Sequence, residues 1–97
     1  MPMADSTGLE RLHAFVHGRV QGVGFRAFVL QEASAMDLKG WCRNVGWNQV
    51  EVVAEGSRAN LEGLLVELHR GPSMSAVEKV ISEWTLGTGE FTQFRVR

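Results

Sequence analysis

Apolar and polar residues alternate from Leu12 onward. Leu12, Ala14 and Val16 interleave with His13, Phe15 and His17, which predicts a first strand half-buried in a sheet. The period then lengthens: Phe25, Phe28, Val29, Ala33 and Met36 recur at helical spacing over about three turns, with Gln31, Glu32 and Ser34 turned to water. Two short runs, Leu38 to Val45 and Gln49 to Ala54, flank Gly46-Trp47-Asn48, whose Gly and Asn tolerate left-handed dihedrals, so a hairpin is expected there. Ser57 stands three residues before Asn60 as an N-cap, and Leu61, Leu64, Leu65 and Leu68 mark a second amphipathic helix that should end near Arg70-Gly71-Pro72. Val77 to Leu86 reads as a fourth strand, and Phe91 to Val96 as a short last one.

The order β-α-β-β-α-β predicts an α+β, ferredoxin-like sandwich: an antiparallel sheet, both helices on one face, and a short extra C-terminal strand. With 97 residues, 44% of them hydrophobic, the chain suits one core. Residues 1–8 are small and polar and read as a flexible lead-in, and 9–97 as a single domain. No internal repeat or low-complexity segment is visible.

Candidate chemistry concentrates between the first strand and the first helix, in Gly18-Arg19-Val20-Gln21-Gly22-Val23-Gly24-Phe25-Arg26. Glycines let successive backbone N–H groups converge, and a helix N-terminus adds roughly half a positive charge, so the stretch suits an anion. Arg26 sharpens this. A cation in a first helical turn is disfavoured by a few tenths to roughly 1 kcal/mol, a cost that a bound phosphate or carboxylate would remove.

Other uses of the glycines fit less well. Gly22-Val23-Gly24-Phe25-Arg26-Ala27 also matches the dinucleotide fingerprint G-x-G-x-x-A, yet a hairpin follows where a second crossover is needed, and Arg43 and Asn44 stand where a ribose-binding acid belongs. A Walker loop lacks its Lys-Ser or Lys-Thr, and a C-x5-R phosphatase cradle fails because Asn48 follows Cys42 six positions on. The net charge of -1 argues against a nucleic-acid surface or an anionic membrane partner, which leaves a small, locally bound anion. Cys42 stands alone, so no internal disulfide forms, and with no signal-like N-terminus or bilayer-length apolar run the cytoplasm is the default. Metal-ligand spacings are absent from the sequence.

A second cluster, Gly40-Trp41-Cys42-Arg43-Asn44, followed by Val50-Glu51, completes a pattern. The two motifs and their separation resemble the acylphosphatase family, over a span from about Leu9 to Arg97 that includes Gly71-Pro72 and Phe94. The resemblance implies the same fold and hydrolysis of the carboxyl-phosphate bond of small acyl phosphates, with no metal or cofactor and with inorganic phosphate as a ligand; a monomer is expected. It implies that the backbone from Gln21 through Gly22, Val23 and Gly24 to Phe25 binds phosphate, that Arg26 is the phosphate-binding arginine, and that Asn44 positions water. The chain departs from the family pattern at Trp47-Asn48, where Asp-Gly is common, and at Asp37, where a glycine often follows the first helix.

The remaining polar and aromatic residues carry blander readings. His17 reads as a half-exposed strand residue rather than a base, and Arg43 points away from Asn44 by simple alternation. Cys42 shares Asn44's face as a small core residue, while Trp41, Trp47 and Trp84 are expected to fill the core or cover the hairpin. The alternative functions are a non-catalytic acylphosphatase-like anion-binding module serving a larger carbamoyl-transfer machine, and a small RNA-binding sheet, for which Phe15 is the one aromatic evident on strand one.

Overall fold

A computed structural model describes residues 8–97. Apart from Gly8, the lead-in expected at 1–8 lies outside the described residues. The elements are β1 (Glu10–Arg19), α1 (Phe25–Ala35), β2 (Lys39–Val45), β3 (Gln49–Gly56), α2 (Arg58–Arg70), β4 (Ala76–Leu86) and β5 (Phe94–Val96). They build one five-stranded sheet in the order β4-β1-β3-β2-β5. Pairing is antiparallel between β4 and β1, β1 and β3, and β3 and β2, but β5 runs parallel to β2. The sheet is therefore mixed rather than wholly antiparallel. The last strand also begins at Phe94, because Phe91 to Gln93 stay outside the ladder until Gly40 N–H bonds the Gln93 carbonyl.

Period-two alternation explains which face is buried. Leu12, Ala14 and Val16 of β1, Val50, Val52 and Ala54 of β3 and Cys42 of β2 meet Phe25, Val29 and Ala33 of α1 and Leu61, Leu64 and Leu68 of α2 in one core. The second helix starts and stops as its sequence dictates. Ser57 Oγ accepts the Asn60 N–H, and Gly71 donates its N–H to the Glu67 carbonyl. The first helix stops at Ala35, with Met36 as its C-cap. Asp37 follows with φ of 56°, the one non-glycine residue with positive φ among those described. A glycine is the easier occupant of such a position, and Asp tolerates it through its short polar side chain.

The other face of the sheet is not a plain solvent face. Glu51 and Glu55 on β3 are 6% and 2% exposed, each held by charged partners. Glu55 accepts from Arg11 Nε at 2.7 Å and from the N–H groups of Thr88 and Gly89, while Glu51 bridges His13 Nε2 and Arg43 Nε at 2.6 and 2.7 Å. The tryptophans meet expectation only in part, since none is fully buried and only Trp84 packs against the core. Trp41 lies beneath the guanidinium groups of Arg43 and Arg97, whereas Trp84 is partly buried, packing against the edge of the core with Arg58 over its ring at 3.7 Å. Trp47, at the tip of the β2–β3 turn, is 83% exposed.

The two carboxylates set how the fold responds to acid. Burial would raise the Glu55 pKa, but the Thr88 and Gly89 amides and the Arg11 guanidinium outweigh it, and the net shift is downward from 4.5. The Glu51 pKa moves the same way, with burial outweighed by hydrogen bonds from Arg43 and His13. A carboxylate with a depressed native pKa stabilises the fold above its unfolded pKa, and that stability is lost as pH falls through the native value. Urea titrations should therefore show stability falling below about pH 4.5. Glu55→Gln should lower stability at pH 7 by about 1–3 kcal/mol and flatten that acid limb; a Glu55→Gln protein with the parent's acid slope would contradict this assignment.

Candidate active site

The exit of β1 begins with a break in register. The β1–β4 pairing slips between His17 and Gly18, and a side chain at Gly18 would place its Cβ 2.2 Å from the Ala76 carbonyl oxygen, so only glycine fits. Gly18 N–H instead bonds the Asn48 carbonyl at 3.0 Å, which starts to fasten this segment to the β2–β3 turn. Gly22 and Gly24 follow with φ of 73° and 78°, and Gly24 is the N-cap of α1 in left-handed geometry. A glycine cap offers no side-chain acceptor to the first turn, and no acidic residue stands there. Among the described residues, the N–H groups of Gly22, Val23, Gly24, Phe25 and Arg26 donate to no protein group. The bend thus collects main-chain donors at the positive end of a helix.

Packing holds that uncapped helix end in place. Phe25, the first helical residue, is buried in the core and meets Phe28 edge-on with ring centroids 5.9 Å apart. Full burial of such a side chain is worth about 1.5–3 kcal/mol, more than the few tenths to about 1 kcal/mol by which Arg26 is misplaced. Arg26 is half-buried, and its Nη1 donates to the main-chain oxygen of Arg97 at 2.8 Å. This contact leaves further donors on the guanidinium.

Gln21 ties the bend to the strand pair that carries Asn44. Its Nε2 lies 3.3, 3.1 and 2.9 Å from the carbonyl oxygens of Val45, Gly46 and Gln49, so one amide bridges both ends of the turn. The result is a shared cavity of about 310 Å³. Gln21, Gly22, Gly24, Phe25, Arg26 and Asn44 all line it. Of the residues singled out from sequence, Val23 does not; its side chain packs on the core, so only its N–H is available to the bend. The spacing argument missed Val20, Ala27, Leu30 and Val96, which complete the wall. Leu30 stands four residues after Arg26 and was open to discovery from helical spacing, whereas Val96 arrives only through the parallel pairing of β5 with β2.

Ionisable rivals lie elsewhere. Cys42 is buried behind α1, with Sγ 3.8 Å from the Arg26 carbonyl, and burial pushes its thiol up to about 12 despite the nearby Arg26 charge. It is no nucleophile at neutral pH. Arg43 is committed to Glu51 on the opposite face, and His17 does not line the cavity. Among the described residues, no group of three or more His, Cys, Asp or Glu side chains could hold a metal.

The family model for acylphosphatase matches residues 12–96. The chain belongs to the acylphosphatase family. It is 42% identical over 88 residues to an acylphosphatase of Methylococcus capsulatus, a match that covers 91% of this chain and 96% of that protein. Among solved structures it resembles an acylphosphatase from Coxiella burnetii, with a TM-score of 0.90 and 34% identity over 99% of this chain and 100% of the other. The acylphosphatase from Bacillus subtilis gives 0.87 and 32% identity over 91% and 98%. These matches agree with the ferredoxin-like α+β architecture described above.

The Gln21 clamp has a measurable consequence. Gln21→Ala removes the bridging amide and leaves carbonyl groups at the turn without their donor, so it should lower stability by about 1–3 kcal/mol in urea denaturation. It should also reduce turnover of an acyl phosphate, because the main-chain donors and Asn44 no longer share a fixed frame. Parent-like stability and turnover would show that the clamp is dispensable.

Proposed function

We propose that Arg26, Asn44 and the main-chain donors from Gln21 to Phe25 carry out the acylphosphatase reaction in this chain: hydrolysis of small acyl phosphates to a carboxylate and inorganic phosphate. The observation that carries this reading is the single cavity shared by the bend, Arg26 and Asn44. Phosphoryl transfer asks little covalent chemistry of a protein. It needs the equatorial oxygens held, their charge countered and the attacking and leaving oxygens kept in line. The backbone N–H groups and the planar guanidinium of Arg26 meet the first two needs, the fork matching two phosphate oxygens at once.

Asn44 serves the attacking water. Its amide does not titrate near neutral pH, but the side-chain oxygen accepts a hydrogen bond and aims a water lone pair at phosphorus. The water oxygen forms the new bond to phosphorus as the bond from phosphorus to the acyl oxygen breaks and the carboxylate leaves with the electron pair. The water proton passes to a phosphate oxygen of the substrate. The cavity wall consists of glycines, apolar side chains, two carboxamides and the Arg26 guanidinium, so it offers no protein base. The products are inorganic phosphate, which competes for the same donors, and a free carboxylate. This route requires no metal, no nucleic acid and no membrane.

Kinetics on a synthetic acyl phosphate test the assignment. Asn44→Ala should lower kcat on the order of 10²–10³-fold, as loss of a single preorganised group does; a near-parental rate would remove Asn44 from the mechanism. Arg26→Lys keeps the charge but loses the fork, and should lose most activity and weaken competitive inhibition by phosphate. The parent's rate should be indifferent to chelator, whereas a requirement for added magnesium would overturn the scheme.

A further inference from the structure

The assigned positions of Arg26 and Asn44 also constrain where the acyl group lies. In-line displacement places the attacking and leaving oxygens on opposite sides of phosphorus. Asn44 stands on β2, whose outer neighbour is β5, and shares the cavity wall with Val96, whereas the phosphate bend leaves β1, and beyond β1 lies β4. Water held on the β2 side therefore directs the leaving carboxylate toward the β1–β4 side. A second recess of about 350 Å³ opens there and shares Val20 and Gln21 with the phosphate cavity. Arg19 of β1, Glu78 of β4, and Trp47 and Asn48 of the turn form its other walls.

We propose that this recess receives the acyl group and that Trp47 selects acyl phosphates with a flat apolar body, aryl groups above all, over acetyl. The proposal rests on the reading of Arg26 and Asn44 given above. Arg19 and Glu78 bring opposite charges to the walls, so the recess has no net attraction for an anionic acyl group. Trp47 supplies the large apolar surface. Among the described residues, arginine groups cover the rings of Trp41 and Trp84 but not that of Trp47, which is 83% exposed. Its turn is also anchored, through the Gln21 amide on the Gly46 carbonyl and the Gly18 N–H on the Asn48 carbonyl. An indole so placed offers one face for offset stacking without closing the phosphate cavity.

The test compares benzoyl phosphate with acetyl phosphate in the full-length chain. Trp47→Ala should lower the ratio of their kcat/KM values about tenfold, mainly by raising KM for the benzoyl substrate. Trp47→Phe, which keeps a ring, should restore most of that ratio. Because rates alone do not report folding, urea denaturation and circular dichroism of both variants accompany the kinetics. An unchanged ratio in Trp47→Ala, or equal loss in Trp47→Phe and Trp47→Ala, would overturn the subsite. Those outcomes leave the hydrolytic reading intact, whereas failure of the parent to hydrolyse either substrate would overturn both.

Discussion

One side-chain amide organises the working end of this molecule. The glycine-rich bend belongs to the β1–α1 connection and Asn44 to β2, and in the sheet β3 separates their two strands. Backbone pairing alone sets the strands in register, Val16 opposite Val50 and Val50 opposite Asn44, but it does not fix a loop that has left the ladder. Gln21 does so by reaching three carbonyl groups at the β2–β3 turn, with Gly18 and Asn48 adding a main-chain bond beside it. The bend can then afford glycines and open N–H groups, because its position comes from the hairpin rather than from its own conformation.

The same division between anchoring and exposure explains the helix end. An N-terminus with a polar cap and an acidic first turn would be more stable alone, and α1 has neither. Burial of Phe25, Val29 and Ala33 keeps the helix against the sheet regardless. Stability is supplied by the core and by the carboxylate pairs on the opposite face. The bend itself is left with unpaired donors, which is what anion recognition requires.

Much of this was legible in the sequence because local chemistry and tertiary context agree. The alternation of Leu12, Ala14 and Val16, the Ser57 cap and the Gly71 stop each specify one local structure, and each occurs as read. What escaped depends on long-range pairing. Nothing local to Phe94-Arg95-Val96 says that it docks parallel to β2, and hence that Val96 reaches the cavity. The side-chain role of Gln21 was hidden for the same reason, since its partners lie 24 to 28 residues away. Trp41 and Trp47 misled because residue type predicts apolar contact without saying whether core, an arginine or solvent supplies it. The candidate site was legible through residue types and order: glycines and an arginine at a strand-to-helix junction, then an asparagine at a strand end.

The composition of the cavity wall bears on how a proton leaves the attacking water. Glycines, apolar side chains, two carboxamides and one guanidinium make up that wall, so nothing in it can accept a proton at neutral pH. The nearby thiol lies behind α1 with its pKa pushed up to about 12, and Glu51 is turned to the other face, occupied by His13 and Arg43. A fixed carboxylate in the wall would be an effective base, but it would also repel an anion held at the bend. In the proposed scheme, orientation by a neutral amide avoids that conflict, and a phosphate oxygen of the substrate takes the proton instead. The reaction this arrangement suits is one whose leaving group is itself a weak base, and a carboxylate is such a group.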